Sequence, residues 1–247
     1  MAELVDALDS NSSIERCAGS IPALGTKREL NEDVVLIEEI NQSTNLFLVV
    51  DGMGGYQKGE MAAKIISENF ATHLHSLSGF QSQDIENAFK KANLAIKQYN
   101  SENKIISGAT VGGILITENK IFVFWVGDVK IYHFKDGKLN WQSKSHTLLN
   151  EMLETEAVRT PEIHKRYGHI VTRSISGKRE NSNPELFEIE NFSNNSSFII
   201  CSDGVHNTMT AEHLSLLFHN KKGLCDIENY LKEHAVDNFS LIIINFK

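Results

Sequence analysis

Asp136-Gly137 stands between two short apolar runs, residues 131–134 and 139–141, and it forces the backbone to reverse there. Asp-Gly is the strongest short-range hairpin signal, because both residues tolerate the positive φ that a tight two-residue turn requires. A second reversal at Glu118-Asn119 joins residues 111–116 to 121–126. Strands joined by two-residue turns must be antiparallel, since parallel neighbours need a long crossover. A doubly wound parallel sheet is therefore excluded.

The other periodicities fill out an α+β chain. Apolar residues recur at helical spacing at Ala62, Ala63, Ile66, Phe70 and Leu74, and again at Ile85, Phe89, Ala92 and Ile96. They predict helices over 60–77 and 85–99. Strand-like runs fall at 34–38, 46–50, 109–117, 169–174, 198–201 and 240–246. Shorter helices are expected over 147–166, interrupted at Thr160-Pro161, and over 211–218 and 225–234. Residues 177–183 and 191–197 read as polar loops. Residues 1–18 show little periodicity and read as a loose or partly helical lead-in to a single domain over 19–247. Helices and antiparallel strands segregate along the chain, which marks an α+β architecture.

A chain of 247 residues, 41% hydrophobic, buries enough surface to fold without disulfides or structural zinc. Cys17, Cys201 and Cys225 are widely spaced and form no CxxC or Cys/His cluster, so a reducing, cytoplasmic compartment is expected. The acidic start, Met1 to Asp6, lacks the order of a signal peptide, and no apolar run approaches the ~20 residues of a membrane span. The net charge of −8 argues against nucleic acid as the partner.

Four aspartates share one local situation. Asp51 and Asp203 end apolar runs and are followed by glycine, Asp128 ends the run 121–127, and Asp237 opens the last one. Any one of them alone is more simply a turn residue. Four at the ends of strands in one sandwich would repel one another and raise each other's pKa, and cations would relieve that. An all-oxygen ligand set favours Mg²⁺ or Mn²⁺; Ca²⁺ fits less well, because no 12-residue loop of alternating acidic ligands is present. Near them in the chain, Arg28 precedes the acidic pair Glu32-Asp33, and its planar fork suits two phosphate oxygens.

Taken in order, these segments resemble the metal-dependent protein phosphatase family (PPM, type 2C), bacterial branch. The resemblance is carried by residues 28–33, 51–55 with Gly59, Ala62 and Ala63, 108–110, 127–130, Thr172-Arg173, 202–204 and Asp237-Asn238. It implies a central antiparallel β-sandwich flanked by helices on both sides, with metals in a cleft at one end. It further implies a Mn²⁺- or Mg²⁺-dependent hydrolase that cleaves phosphoserine and phosphothreonine by a metal-bridged hydroxide, with no phospho-enzyme. Two ions would be held by Asp51, the Gly52 carbonyl, Asp203 and Asp237 with Asp33 nearby, and a third at Asp128. Glu32 would act through water beside Asn238, and Arg28 would bind the substrate phosphate. The implied partners are phosphoproteins and an opposing Ser/Thr kinase, acting on a cytoplasmic monomer without nucleic acid or membrane. Three positions depart from the pattern: Val129-Lys130 for Ser-Arg, Ser145 for the acid before His146, and no glycines before Asp237. The position where the eukaryotic branch carries His is Met53 here, so no protein general acid is assigned.

Two other readings compete, and the residues discount the first. A pseudophosphatase would have lost Asp51, Asp203 or Asp237, and all three are present. A hydrolase of small phosphate esters differs only in loops such as 154–168 and 178–194. His73 and His75, two apart on a helix, cannot share a face and read as surface or boundary residues. His146 reads as packed or capping, Cys201 as a core thiol, and Lys90-Lys91 and Lys221-Lys222 as solvated faces.

Overall fold

Asp136 and Gly137 adopt φ of 49° and 75°, the doubly left-handed turn that their identity predicts. A computed structural model describes residues 3–5, 16–27, 30–53, 57–154, 161–190, 195–218 and 223–246. The chain begins with strands β1 (Glu3–Val5), β2 (Arg16–Ala23), β3 (Asp33–Asn41) and β4 (Thr44–Met53), then helices α1 (Gln57–His75) and α2 (Ser82–Asn103). A meander follows: β5 (Gly108–Ile116), β6 (Lys120–Val126), β7 (Lys130–Lys135) and β8 (Lys138–Gln142). Helices α3 (Leu148–Glu154) and α4 (Pro161–Tyr167) lead to β9 (Glu185–Glu190) and β10 (Ser196–Cys201). Helices α5 (Asp203–His206), α6 (Ala211–Phe218) and α7 (Gly223–His234) precede the last strand, β11 (Phe239–Phe246).

The strands form two antiparallel sheets, ordered β1-β2-β11-β10-β7-β8 and β3-β4-β5-β6-β9. Alternation along β6 shows how the layers arise, because successive side chains leave a strand on opposite faces. Trp125 points between the sheets, where it joins Val49, Ile114, Val129, Ile200 and Ile242. Phe124 points outward to α1 and α2, stacked on Phe70 with centroids 5.9 Å apart and edge-on to Phe89 at 5.9 Å. On the far side Leu214 of α6 and Ile227 and Leu231 of α7 cover Ile199 and Leu241. Helices thus flank the sandwich on both sides. Helix α2 starts where the Asp84 carboxylate accepts the Gln81 N–H at 2.9 Å and stops at Lys104, in the left-handed region at φ 55°.

Several expectations need correction. Residues 169–174 form no strand; single bridges pair Val171 with Thr147 and Ile175 with Ala109, and no continuous ladder runs beside them. Strand β9 was hidden by three glutamates in six residues, which break the apolar alternation. Lys120 of β6 compensates them, at 2.7 Å from Glu188 and 3.2 Å from Glu190, and the charges suit a sheet edge. The lead-in to residue 18 supplies β1 and the start of β2, whose backbone pairs along β11 over Phe239–Phe246. His73 is 7% exposed rather than at the surface, because α2 folds back along α1 and sets Lys91 Nζ 2.8 Å from His73 Nδ1. His75 does lie outside, 3.0 Å from Glu38. Cys201 is buried and Cys225 exposed, and both are free thiols. Lys221-Lys222 lies outside the described residues. Among the described residues no helix is long and apolar enough to cross a membrane.

Candidate metal centre

The sheet ladders themselves deliver the aspartates. In β4, Asp51 stands opposite Asp33 of β3 on one side and Thr110 of β5 on the other. Asp128 lies in the link from β6 to β7, after Gly127 at φ 96°. An added Cβ on Gly127 would lie 2.2 Å from Thr110 Cγ2, so both conformation and space require glycine there. Asp203 opens α5 directly after β10, and Asp237 lies just before β11. Strands β10 and β11 are antiparallel neighbours with Cys201 opposite Leu241, so the end of one and the start of the other fall at the same edge.

Ser202 joins the two sheets at this edge. Its buried hydroxyl donates to Asp33 Oδ2 at 2.9 Å and accepts the Ser240 N–H at 2.9 Å. Glu32 braces the other side: its carbonyl accepts the Gly52 N–H at 3.2 Å and its Oε1 accepts the Gly59 N–H at 3.2 Å. A Cβ on Gly59 would sit 2.3 Å from Glu32 Oε1, so this brace also depends on a bare backbone.

Asp51, Asp128, Asp203 and Asp237 line one cavity of about 280 Å³, together with Glu32, Gly52, Met53, Thr110, His169, Val171 and Asn238. Asp33 is buried beside Asp51, outside the cavity wall. Burial pushes the Asp51 carboxyl well above the usual range, and the charges of Asp33, Asp203, Asp128 and Asp237 push it further. Burial likewise raises Asp203 to about 7, with Asp128, Asp237 and Asp33 adding to it. Asp33 rises to about 6, where burial outweighs the lowering effect of the neighbouring Ser240, Ser202 and Asp51 side chains and the charge of Asp237 adds to the rise. Burial also raises Asp128. Asp33, Asp51, Asp128 and Asp203 form no ion pair with a described Lys, Arg or His.

Uncompensated carboxylates gathered at this density fit divalent cations. The all-oxygen donor set suits Mn²⁺ or Mg²⁺, and Asn238 Oδ1 is a buried acceptor in the cavity wall with no hydrogen-bond partner. The carboxylates stand around the cavity rather than closed on one point: among the described residues no three His, Cys, Asp or Glu side chains are gathered tightly enough to hold an ion as they stand.

Arg28 lies outside the described residues. His146 is used in packing: it stacks on Trp125 at 6.2 Å, and its Nδ1 accepts the Gly127 N–H at 3.0 Å. Burial and then Arg173 lower its pKa to about 4. Sequence reasoning missed Ser202 as the inter-sheet tie and His169 and Val171 as cavity wall. The nearest signal was the adjacent Thr172-Arg173 pair.

Solved structures that share this architecture include Ser/Thr phosphatases. The enzyme of S. agalactiae superposes with a TM-score of 0.85 at 18% identity, over 93% of this chain and 99% of that one. The catalytic domain of PstP, in complex with two manganese ions, superposes with a TM-score of 0.80 at 21% identity, over 94% and 98%. At these identities the likeness shows the fold. In sequence, the serine/threonine phosphatase Stp of Listeria monocytogenes is 23% identical over 212 residues, 82% of each chain. The fold thus defines an architectural class, a two-sheet antiparallel sandwich flanked by helices. A family model described as protein phosphatase 2C matches residues 26–232, and the chain belongs to that family. It is an enzyme, a phosphatase.

Proposed function

We propose that the chain is a Mn²⁺- or Mg²⁺-dependent protein phosphatase acting on phosphoserine and phosphothreonine, in opposition to a Ser/Thr kinase. The observation that carries this reading is the convergence of four strand-end carboxylates on one cavity, with burial and mutual repulsion raising the pKa of Asp51, Asp128 and Asp203. Two divalent cations, when bound, supply charge to neutralise the phosphoryl oxygens and to activate a water for in-line attack. Asp51, Asp203, Asp237 and the Gly52 carbonyl would hold them, with Asp33 behind Asp51, and Asp128 would hold a third. Glu32 fixes the Gly52 backbone through its own carbonyl and stands ready to orient water in the cavity. Asn238 ties the Asp237 segment to Leu30 by donating to the Leu30 carbonyl at 2.9 Å. Arg28 would grip the substrate phosphate. Neither Cys201 nor Ser202 acts as a nucleophile: both are fully buried, and the Ser202 hydroxyl is committed to Asp33.

Hydrolysis of p-nitrophenyl phosphate and of phosphothreonine peptides, after chelation and return of Mn²⁺, tests the reading. Activity is expected to return with Mn²⁺ and to be lost in Asp51→Asn and Asp237→Asn. Unchanged activity in both variants refutes the site, and turnover of small esters without phosphopeptides refutes the substrate class.

A further inference from the structure

A concavity of about 740 Å³ lies outside the carboxylate site, between α2 and residues 177–186. Its size is that of a ligand-binding cleft. Phe89, Leu186 and Leu94 give it an apolar lining, and Leu94 is 65% exposed with nothing packed over it. Around this lining stand Lys97, Lys178 and Arg179, all exposed. None of the three pairs with a carboxylate among the described residues. Glu86 is already matched by Lys90 at 3.5 Å, which leaves Glu180 as the one opposing charge in the lining. A cationic rim on an apolar lining, standing out on a chain of net charge −8, complements a ligand that is acidic and apolar at once.

The groove is tied to the catalytic edge. Val171 lines the carboxylate cavity, and Gly177, six residues on, lines the groove. The segment between them is pinned by the Ile175–Ala109 backbone pair at 2.9 and 3.0 Å, and Gly177 N–H donates to Asn93 Oδ1 of α2 at 2.8 Å. Six residues of chain reach at most about 20 Å, so the groove and the reacting centre lie within reach of one extended peptide.

We infer that this groove docks an acidic, apolar-anchored segment of the phosphoprotein substrate, within about six extended residues of the phosphoresidue. A free phosphate ion would leave the apolar lining unused, and a membrane surface would not enter a concave cleft. The inference rests on the phosphoprotein reading above, and a binding measurement that needs no turnover separates the two.

A fluorescently labelled, unphosphorylated peptide of Asp, Glu and Leu is titrated against the full chain by anisotropy. Phosphothreonine peptides extended with that segment, or with its Asn/Gln counterpart, are then compared in turnover. Lys97→Glu/Arg179→Glu is expected to weaken peptide binding about tenfold, and salt is expected to weaken it too. In the wild type the acidic extension should lower KM at least about fivefold, an advantage that tethering supplies and charge reversal removes. Hydrolysis of p-nitrophenyl phosphate should be unchanged in the variant, since neither residue lines the carboxylate cavity. Equal KM for both extensions, or an advantage that survives the charge reversal, overturns the inference. So does binding of phosphatidylglycerol vesicles in place of the peptide. If the acidic peptide binds in a charge-dependent way and no phosphopeptide is hydrolysed, the groove stands and the phosphatase substrate reading fails.

Discussion

Removing one carboxylate from the site should make the metal-free protein more stable while destroying its activity. Asp203 is the best position to test this, because burial and the charges of Asp128, Asp237 and Asp33 raise it from 3.8 to about 7. A folded-state pKa above the unfolded one means that the fold holds the proton more tightly. The stability this gives is complete below the unfolded pKa of about 4 and lost as pH rises through about 7. At about 1.4 kcal/mol per pH unit, the ionised Asp203 costs the folded state on the order of 4 kcal/mol at pH 8. Asp203→Asn, nearly isosteric and uncharged, removes that cost. For a chain of this size the gain is an increase in Tm of roughly 8–16 °C. The assay is thermal or urea unfolding of wild type and variant in EDTA at pH 5 and pH 8. His146, buried, and His206, half-buried, each lowered to about 4, work in the opposite sense: their stability is present above the usual histidine range and lost as pH falls through about 4. They are common to both proteins and cancel in the difference. The variant should be the more stable one at pH 8, and the gap should close toward pH 5. Excess Mn²⁺ at a hundred times its Kd should stabilise the wild type by about 2.7 kcal/mol and the variant far less. A variant no more stable than wild type in EDTA at pH 8 refutes the mutual-repulsion argument, and with it the reason for assigning cations to this cavity.

Two smaller tests address the scaffold. Phe124→Ala removes the ring held between Phe70 and Phe89 and should cost about 3–5 kcal/mol in urea unfolding, with activity per folded molecule retained. Gly59→Ala drives a methyl to within 2.3 Å of Glu32 Oε1; activity should drop by at least about tenfold, with a loss of only about 1–3 kcal/mol in stability.

The parts of the fold read correctly from sequence are those where local chemistry and tertiary packing agree. The Asp136-Gly137 turn needs positive φ at both residues, and these residues supply it. The Phe70 and Phe89 faces carry helical periodicity because each helix covers the sheet on one side only. The aspartates stood out because Asp after an apolar run is cheap to recognise and several occurred together. Strand β9 failed because its partner Lys120, 68 residues from Glu188, neutralises charges that look solvated in isolation. His73 failed because periodicity within α1 does not show that α2 returns to bury it. Residues 169–174 looked like a strand by composition, yet Val171 makes their one bridge, to Thr147, and the next residue to pair, Ile175, bridges to Ala109 instead. Their use, as cavity wall and as the link to the cationic groove, depends on contacts that no local pattern encodes.

The Ser202 hydroxyl reaches from one sheet to a carboxylate of the other. Of the aspartates proposed to hold the cations, Asp33 and Asp51 belong to one sheet, while Asp203 and Asp237 flank strands of the other. Neither sheet alone can assemble the ligand set, so divalent-ion affinity can arise only once the halves of the sandwich have docked. An ion that arrives early during folding finds half a site, and one that is already bound resists any motion prising the layers apart.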